Sequence, residues 1–492
     1  LSNRRRKQIY LLICLMTLSG LFEMLLISSL FPYVSLITSP NESINNNLFN
    51  ILNTFFYQNT VQKSILFLSI VIIIISSLTC FFRIINQWFT LKLSASIGHD
   101  LSHGVFKRTI YKPYQNHLSE NTSNLIATIS NEITYTVVVI EAIFNIFIAL
   151  FIILFLITAM LFTNWKAAII SGILFSISYL VIFKISNSKL VSYSKVVSYS
   201  LKKQIKSLQE SLGSIRDVIL DNSHELYIDE FSKTDIDLRK TLAKGQFIKS
   251  LPRFLFEAML IISFALLSFT FFLINGTQNN NLIPTLAVLA VGAQKLLPAF
   301  QQIYNCWGGI RNLTESVTSV LKILDTPLSK AKNLKEIKPL NFSKSIILKN
   351  IEFKYSDESP LILKNINLKI NKGEHIGIKG STGSGKSTLL DLIMGLLDPS
   401  NGSILIDDQE INNQSHQEIL IKWRSTISHV PQNVYLLDNS FSKNIALGFK
   451  PNNINLKRVK EVAKKAQISE FIESSAGSYN NFVGERGIRL SG

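Results

Sequence analysis

The chain has 492 residues, 47% of them hydrophobic, and its 50 Lys and Arg outnumber its 33 Asp and Glu by 17. The length allows two or three domains. A positive excess can mark a nucleic-acid surface, but here the membrane reading is stronger, because Lys and Arg follow the loops between apolar runs, as in the cytoplasmic loops of membrane proteins, and do not gather on one face.

The N-terminal stretch NRRRKQIYLLICLMTLSGLF has the basic start of a signal peptide, but the apolar run continues through MLLISSLFPYVSLI without a cleavage site. It reads as a retained first membrane helix. Six apolar segments, at 9–37, 64–86, 134–162, 166–186, 252–274 and 283–307, each come near or exceed the roughly 20 residues that span a bilayer. Cys14, Cys80 and Cys306 fall in or beside these runs without metal-ligand spacing, as small buried hydrophobes would and a disulfide frame would not. Arg4, Arg5, Arg6 and Lys7 precede the first segment, and 38–61 has no Lys or Arg. Lys107, Arg108 and Lys112 lie in 92–131, only 163–165 separates the third and fourth segments, 184–249 is long and basic, and NGTQNNNL is uncharged. This alternation places both ends in the cytoplasm.

The two long basic stretches have helical character. In KKQIKSLQESLGSIRDVILDN the apolar positions follow helical spacing, with a break at Gly213. Four charges, Glu23, Glu141, Glu257 and Lys295, fall in or at the edges of apolar runs. Intramembrane charges face a cavity or a partner. Arg253 and Glu257 are four apart and suit a pair on one helix, and for Glu23 structural pairing and a functional role stand level.

After Asp325-Thr326-Pro327 the polar stretch SKAKNLKEIKPLNFSK reads as a linker over 326–344 between a membrane domain, 1–325, and a soluble α/β domain, 345–492. IILKNIEFKY, LILKNINLKI and GEHIGIKG are expected to be strands. The last runs into GSTGSGKSTLLDLIMGLL, in which Gly380, Gly383, Gly385, Lys386 and Ser387 fit G-x-x-x-x-G-K-[ST]. Glycines let successive N–H groups of Gly380, Ser381, Thr382, Gly383, Ser384, Gly385 and Thr388 turn toward phosphate. The following helix adds its positive end. Lys386 reaches the β- and γ-phosphates of a nucleotide, and the Ser387 hydroxyl suits Mg2+.

FKYSDESP, the P-loop, GSILIDD, KWRSTISHVPQN and NSFSKNIALG follow in order over 353–448, and VGERG precedes LSG at the end. From about residue 345 onward the chain resembles the nucleotide-binding domain of an ABC transporter, and six spans ahead of it resemble the exporter arrangement. The resemblance implies an α-helical transmembrane bundle followed by an α/β P-loop domain, with ATP and Mg2+ as cofactors. It implies that Tyr355 stacks on adenine, that Gln432 touches Mg2+ and the attacking water and couples to the membrane domain, and that Lys386 and Gln432 serve catalysis. Glu485 and Arg486 would contact the cytoplasmic helices. Leu490, Ser491 and Gly492 begin the family's signature and would close over ATP held by a second copy. Because the sequence stops inside that signature, the chain is expected to be a piece cut at both ends. Its parent would hydrolyse ATP, and the piece would at most bind it.

The resemblance further implies a homodimer in the plasma membrane of a bacterium, with coupling segments near YKPYQNHLSENTS and SLGSIRDVILDN. SGLFEMLLISSLFPYVSLITSP, PRFLFE and KLLPAFQQIYN are similar to flippases of lipid-linked oligosaccharides. The implied cargo is a lipid-linked glycan or similar amphipathic lipid. A general lipid, drug or peptide exporter is the alternative, and an ATP-gated channel or regulatory membrane subunit is a third.

Overall fold

The computed structural model describes residues 3–38, 61–275, 282–327, 338–411, 417–432 and 434–484, without the side chains of 163–187 and of scattered positions between 249 and 293. The chain separates into two compact units, Leu1–Asn333 and Leu334–Gly492.

The first unit is helical: α1 (Asn3–Thr38), α2 (Val61–Ile110), the short α3 (Tyr114–Ser119) and α4 (Thr122–Ala127), a π-turn at Thr128–Glu132, α5 (Ile133–Gly213), α6 (Ile215–Leu220), α7 (His224–Asn275), α8 (Leu282–Asn312) and α9 (Thr314–Asp325). The expected break falls between α5 and α6, after Gly213. Helical bonding is continuous through α5, and a straight helix of its 81 residues would be about 120 Å long. It is not straight. Tyr135 packs against Val197 and Leu201, and the Ser198 hydroxyl donates to Glu132 Oε1 at 3.2 Å. These pairs centre on residues 165 to 168, so the helical chain doubles back beside the turn expected at 163–165. The loop was expected; the continuity of helical bonding across it was not.

Apolar side chains drive this packing, at roughly 25 cal/mol per Å² removed from water. Ile27 of α1, Leu156 and Met160 of α5, and Leu296 and Ala299 of α8 share one cluster. Leu12 and Met16 meet Leu93 and Ile97 in another. Gly20 lets α1 approach α5 closely, since a Cβ there would collide with the Phe155 ring.

Among the described residues three helical stretches are long and apolar enough to cross a membrane: Asn3–Thr38, Gln62–Ile110 and Thr122–Phe162. The segment 166–186 and much of 252–274 and 283–307 have side chains outside the described set. The cysteines depart from expectation: Cys14 and Cys80 are exposed, Cys306 is intermediate, and all are free. Cys14 and Cys80 sit on exposed faces of apolar helices, where a small apolar group needs no protein core if lipid is the surrounding medium.

In the second unit β1 (Ser345–Phe353) pairs antiparallel with both β2 (Leu363–Asn371) and β3 (Asn401–Ile406), and β3 pairs with β4 (Gln409–Glu410). The order is β2-β1-β3-β4. Helices α10 (Lys386–Ile393) and α11 (Gln417–Arg424) accompany this sheet, and α12 (Phe441–Ile445), α13 (Leu456–Lys465) and α14 (Ser469–Ser474) follow. Leu348, Ile351 and Phe353 of β1 join Leu392, Ile404, Ile406 and Trp423 in one core. The strand expected in GEHIGIKG does not form: 374–380 is irregular, and Ile376 and Ile378 stay exposed. A strand exists only by pairing, and no described segment forms a ladder with this one. The sheet that is present is therefore antiparallel.

Asp407 ties the start of β1 to the end of β3. It accepts from the N–H groups of Ser343 at 2.6 Å, Lys344 at 2.6 Å and Ser345 at 3.0 Å. Burial pushes this carboxyl up, but the three amides outweigh burial and hold it below its ordinary value. Its contribution to stability is therefore complete above the unfolded carboxylate value of about 3.9 and disappears as pH falls through the lower folded value. Asp407→Asn is expected to lower the unfolding midpoint at pH 7 and to converge with the parent chain in strong acid. Parallel melting curves across pH test this, and a pH-independent difference would contradict it.

Candidate functional site

The loop Gly380–Gly385 leads into α10, whose first residue is Lys386. Gly383 and Gly385 have φ of +82° and +87°, values that strain any residue with a Cβ. At Gly385 the room is also missing, since a Cβ would lie 2.9 Å from Leu363 Cδ2 and 3.0 Å from Ile362 Cγ2. The backbone thus curls tightly against β2 just before a helix N-terminus, where free N–H groups and the helix dipole favour an anion. The Lys386 ammonium donates to the carbonyl oxygens of Gly380 at 2.9 Å and Ser381 at 2.7 Å. It therefore lies across the mouth of the loop, and the loop is exposed.

Tyr355, just past β1, is brought to the same place. Its hydroxyl shares a 3.1 Å hydrogen bond with the Thr388 hydroxyl of α10, and its ring meets Phe353 edge-on with centroids 4.9 Å apart. Ser387 follows Lys386 on the first turn of α10. Gln432 lies exposed in the irregular segment after α11, and among the described residues no hydrogen bond joins it to Lys386 or Ser387. Glu485, Arg486, Leu490, Ser491 and Gly492 lie outside the described residues.

The glycine cradle fits a polyphosphate: its small residues leave space, its N–H groups donate, and Lys386 supplies a mobile positive charge. No group of three His, Cys, Asp or Glu able to hold a metal exists among the described residues. A Mg2+ ion would therefore depend on phosphate oxygens together with the Ser387 hydroxyl.

Two residues that sequence reading passed over hold α10 in place. Trp423 Nε1 donates to the Ile393 carbonyl at 2.8 Å. Arg424 donates through Nε to the Gly395 carbonyl at 2.9 Å, and its Nη2 points to the same oxygen. These donors satisfy carbonyls at the helix C-terminus and place positive charge at its negative end. Burial pushes the Arg424 guanidinium down and the Asp398 carboxyl up, and each partly offsets the shift of the other. The only sequence signal was an indole and a guanidinium side by side in KWRS, with nothing to name their acceptors.

A second constellation lies in the helical unit. The Glu23 carboxylate, fully buried, bridges Arg83 Nη2 at 2.6 Å and Lys295 Nζ at 2.7 Å. Sequence reading marked Glu23 and Lys295 but not Arg83, because three helices contribute one residue each and no spacing along the chain connects them. The Arg253 side chain lies outside the described set.

Comparison with known proteins places both units. A family model described as ABC transporter transmembrane region matches residues 12–291, and one described as ABC transporter matches residues 363–492. The putative multidrug export ATP-binding/permease protein YgaD of Bacillus subtilis (strain 168) is 25% identical over 419 residues, which are 83% of this chain and 69% of that protein. The leukotoxin translocation ATP-binding protein LktB of Mannheimia glucosida is 36% identical over 186 residues, 38% of this chain. That match spans only 25% of the leukotoxin protein's length. In fold, the chain is similar along its whole length to a bacterial Atm1-family ABC exporter solved with ATP bound, with a TM-score of 0.77 at 18% identity over 82% of that chain.

Proposed function

The chain belongs to the ABC transporter family, and from that membership and the glycine cradle we propose that it forms part of an ATP-driven exporter or flippase of amphipathic molecules. The cargo we propose is a lipid-linked oligosaccharide or glycolipid. One observation carries the reading: a loop with Gly383 and Gly385 at positive φ delivers Lys386 to the start of α10, in the same chain as helices apolar enough to cross a bilayer.

Residues Gly380–Gly385 and Thr388 would hold the phosphates through main-chain N–H groups, and Lys386 would exchange its loop carbonyls for the β- and γ-phosphate oxygens. Ser387 and Gln432 would complete the Mg2+ shell, and Tyr355 would stack on adenine. When bound, MgATP supplies the binding and hydrolysis free energy that the transport cycle uses. Leu490, Ser491 and Gly492 would face the P-loop of a second copy, which makes the working unit a homodimer with two composite sites. Such a site favours a closed arrangement over an open one, and the helices shift by that difference in affinity. The six spans, both cytoplasmic ends and a bacterial plasma membrane complete the reading.

The test uses the full-length protein in vesicles containing a fluorescently labelled lipid-linked glycan. ATP-dependent movement of label between leaflets supports the reading. Unchanged label distribution together with ATP-driven accumulation of a cationic dye would instead favour general multidrug export, the activity for which the Bacillus subtilis relative is named. A continuous ion current in ATP would favour a channel.

A further inference from the structure

A cavity of about 650 Å³ opens between the first turn of α1 and the segment 97–103 of α2. Arg4, Arg5, His99 and His103 line it, with Asp100 as the single acid among its described lining residues. That acid is already taken. Arg5 Nε donates to Asp100 Oδ2 at 2.9 Å and Nη2 to Oδ1 at 3.2 Å, and Nη2 also reaches the Ser96 carbonyl at 3.3 Å. This clamp fixes α1 against α2 and cancels both charges. Arg4, His99 and His103 are exposed and make no ion pair or side-chain hydrogen bond among the described residues. One guanidinium and two imidazole N–H donors therefore line the cavity without a free counter-charge, a donor set that suits an oxyanion.

Position points to the source of that anion. Leu12 and Met16 of α1 pack with Leu93 and Ile97 of α2, so the two helices run antiparallel and the cavity lies at the edge of the apolar run 9–37. At roughly 100° per residue, Ile74, Phe81, Trp88, Lys92, His99 and His103 fall on one face of α2 within an arc of about 60°. Ile74, Phe81 and Trp88 are each more than half exposed, as is Tyr10 of α1. The Lys92 ammonium lies 4.5 Å from the centroid of the Trp88 ring. Aromatic rings and cations of this kind mark the border of a bilayer. Along a single stripe α2 thus offers apolar surface for acyl chains, then a Trp–Lys border, then two donors that meet Arg4.

We propose that this cavity seats the phosphate of an anionic phospholipid of the surrounding bilayer, a resident lipid and not the cargo, whose acyl chains lie along the exposed face of α2. Its phosphate would bridge Arg4 on α1 to His99 and His103 on α2, a second tie beside the Arg5–Asp100 clamp. A phosphodiester with an uncharged glycerol headgroup carries one uncompensated negative charge, which matches the one positive charge that Arg4 leaves in the cavity. A choline headgroup brings its own cation beside that guanidinium and gains less. The site needs only a bilayer-spanning domain, whatever molecule the chain exports.

Lipid counting tests this. Full-length protein in an uncharged detergent is titrated with phosphatidylglycerol or phosphatidylcholine of the same acyl chains, and bound lipid is read by native mass spectrometry. Phosphatidylglycerol is expected to bind at least about fivefold tighter, and Arg4→Gln should remove about that factor. His99→Gln combined with His103→Gln should abolish most of the preference that remains. Arg6→Gln and Lys7→Gln each remove the same charge from the same stretch of α1 but outside the cavity lining, and should change affinity by less than about twofold. Equal losses from Arg4→Gln and Arg6→Gln would mean diffuse attraction to a basic terminus and overturn the proposal. Equal affinity for the two lipids overturns it, as does inorganic phosphate that displaces phosphatidylglycerol saturably, since the ligand would then be a soluble anion. The lipid should stay bound through ATP turnover; ATP-driven loss of it would make it cargo and overturn its resident role. Should the double histidine variant not yield a monodisperse protein, Arg4→Gln against Arg6→Gln decides. Selective binding without movement of a labelled glycan removes the flippase reading alone; movement of the glycan without selective binding removes this site alone.

Discussion

Lys386→Ala is expected to leave a full-length transporter folded and inserted while lowering both ATP turnover and cargo movement at least about a hundredfold, or about 2.7 kcal/mol of transition-state stabilisation. Among the described residues the ammonium bonds two loop carbonyls, of Gly380 and Ser381, and both bonds are exposed to solvent. Water can take over both carbonyls when it is removed, so the cost to folding is small. The cost to function is large, because nothing else in the cradle carries a movable positive charge to a phosphoryl group where negative charge is redistributed. Phosphate release and transport measured on the same vesicles give the check. Turnover within a few-fold of the parent would remove the cradle from the mechanism.

Trp423→Ala should be the most damaging single change in the second unit, at about 4 kcal/mol. The indole is 6% exposed and packs in the core with Leu392, Leu397 and Ile411. Its face is tilted against Phe342 with centroids 5.9 Å apart. Truncation removes that volume and also leaves the Ile393 carbonyl without its 2.8 Å donor, so cavity and unsatisfied acceptor fall on the end of α10. The helix that carries Lys386 at its other end should then lose its fixed direction, and nucleotide affinity should fall along with stability. Trp423→Phe separates the terms: most packing stays, and about 1–2 kcal/mol is lost with the hydrogen bond. Denaturant unfolding and nucleotide titration of the full-length protein measure both. A Trp423→Ala protein as stable as the parent would show that α11 does not brace the loop.

The likeness to curated relatives is uneven across the chain. The leukotoxin relative matches over 38% of this chain, whereas the Bacillus subtilis relative matches over 83% at lower identity.

Local chemistry was legible wherever a short stretch of chain suffices to produce it. Gly383 and Gly385 announced positive φ because only glycine takes it freely, and Lys386 and Ser387 follow them at fixed offsets. The apolar runs announced helices in a bilayer, Gly213 the break after α5, and β1 and β2 their strands. Tyr355 was marked through the family resemblance as an adenine-stacking aromatic; that its hydroxyl meets Thr388 of α10 was visible only in the structure.

What the sequence determined by itself was thus the phosphate loop, the apolar helices and the family, since each depends on residues within a turn or two of one another. Tertiary structure alone decided the rest. It kept 374–380 out of the sheet, because a strand needs a neighbour that no local pattern supplies. It carried the indole of Trp423 to a carbonyl 30 positions away. It gathered Glu23, Arg83 and Lys295, distant in the chain, into one ion triad beside a cavity. Long-range electrostatics and packing act through space, and linear spacing does not record which side chains the fold will bring within 3 Å.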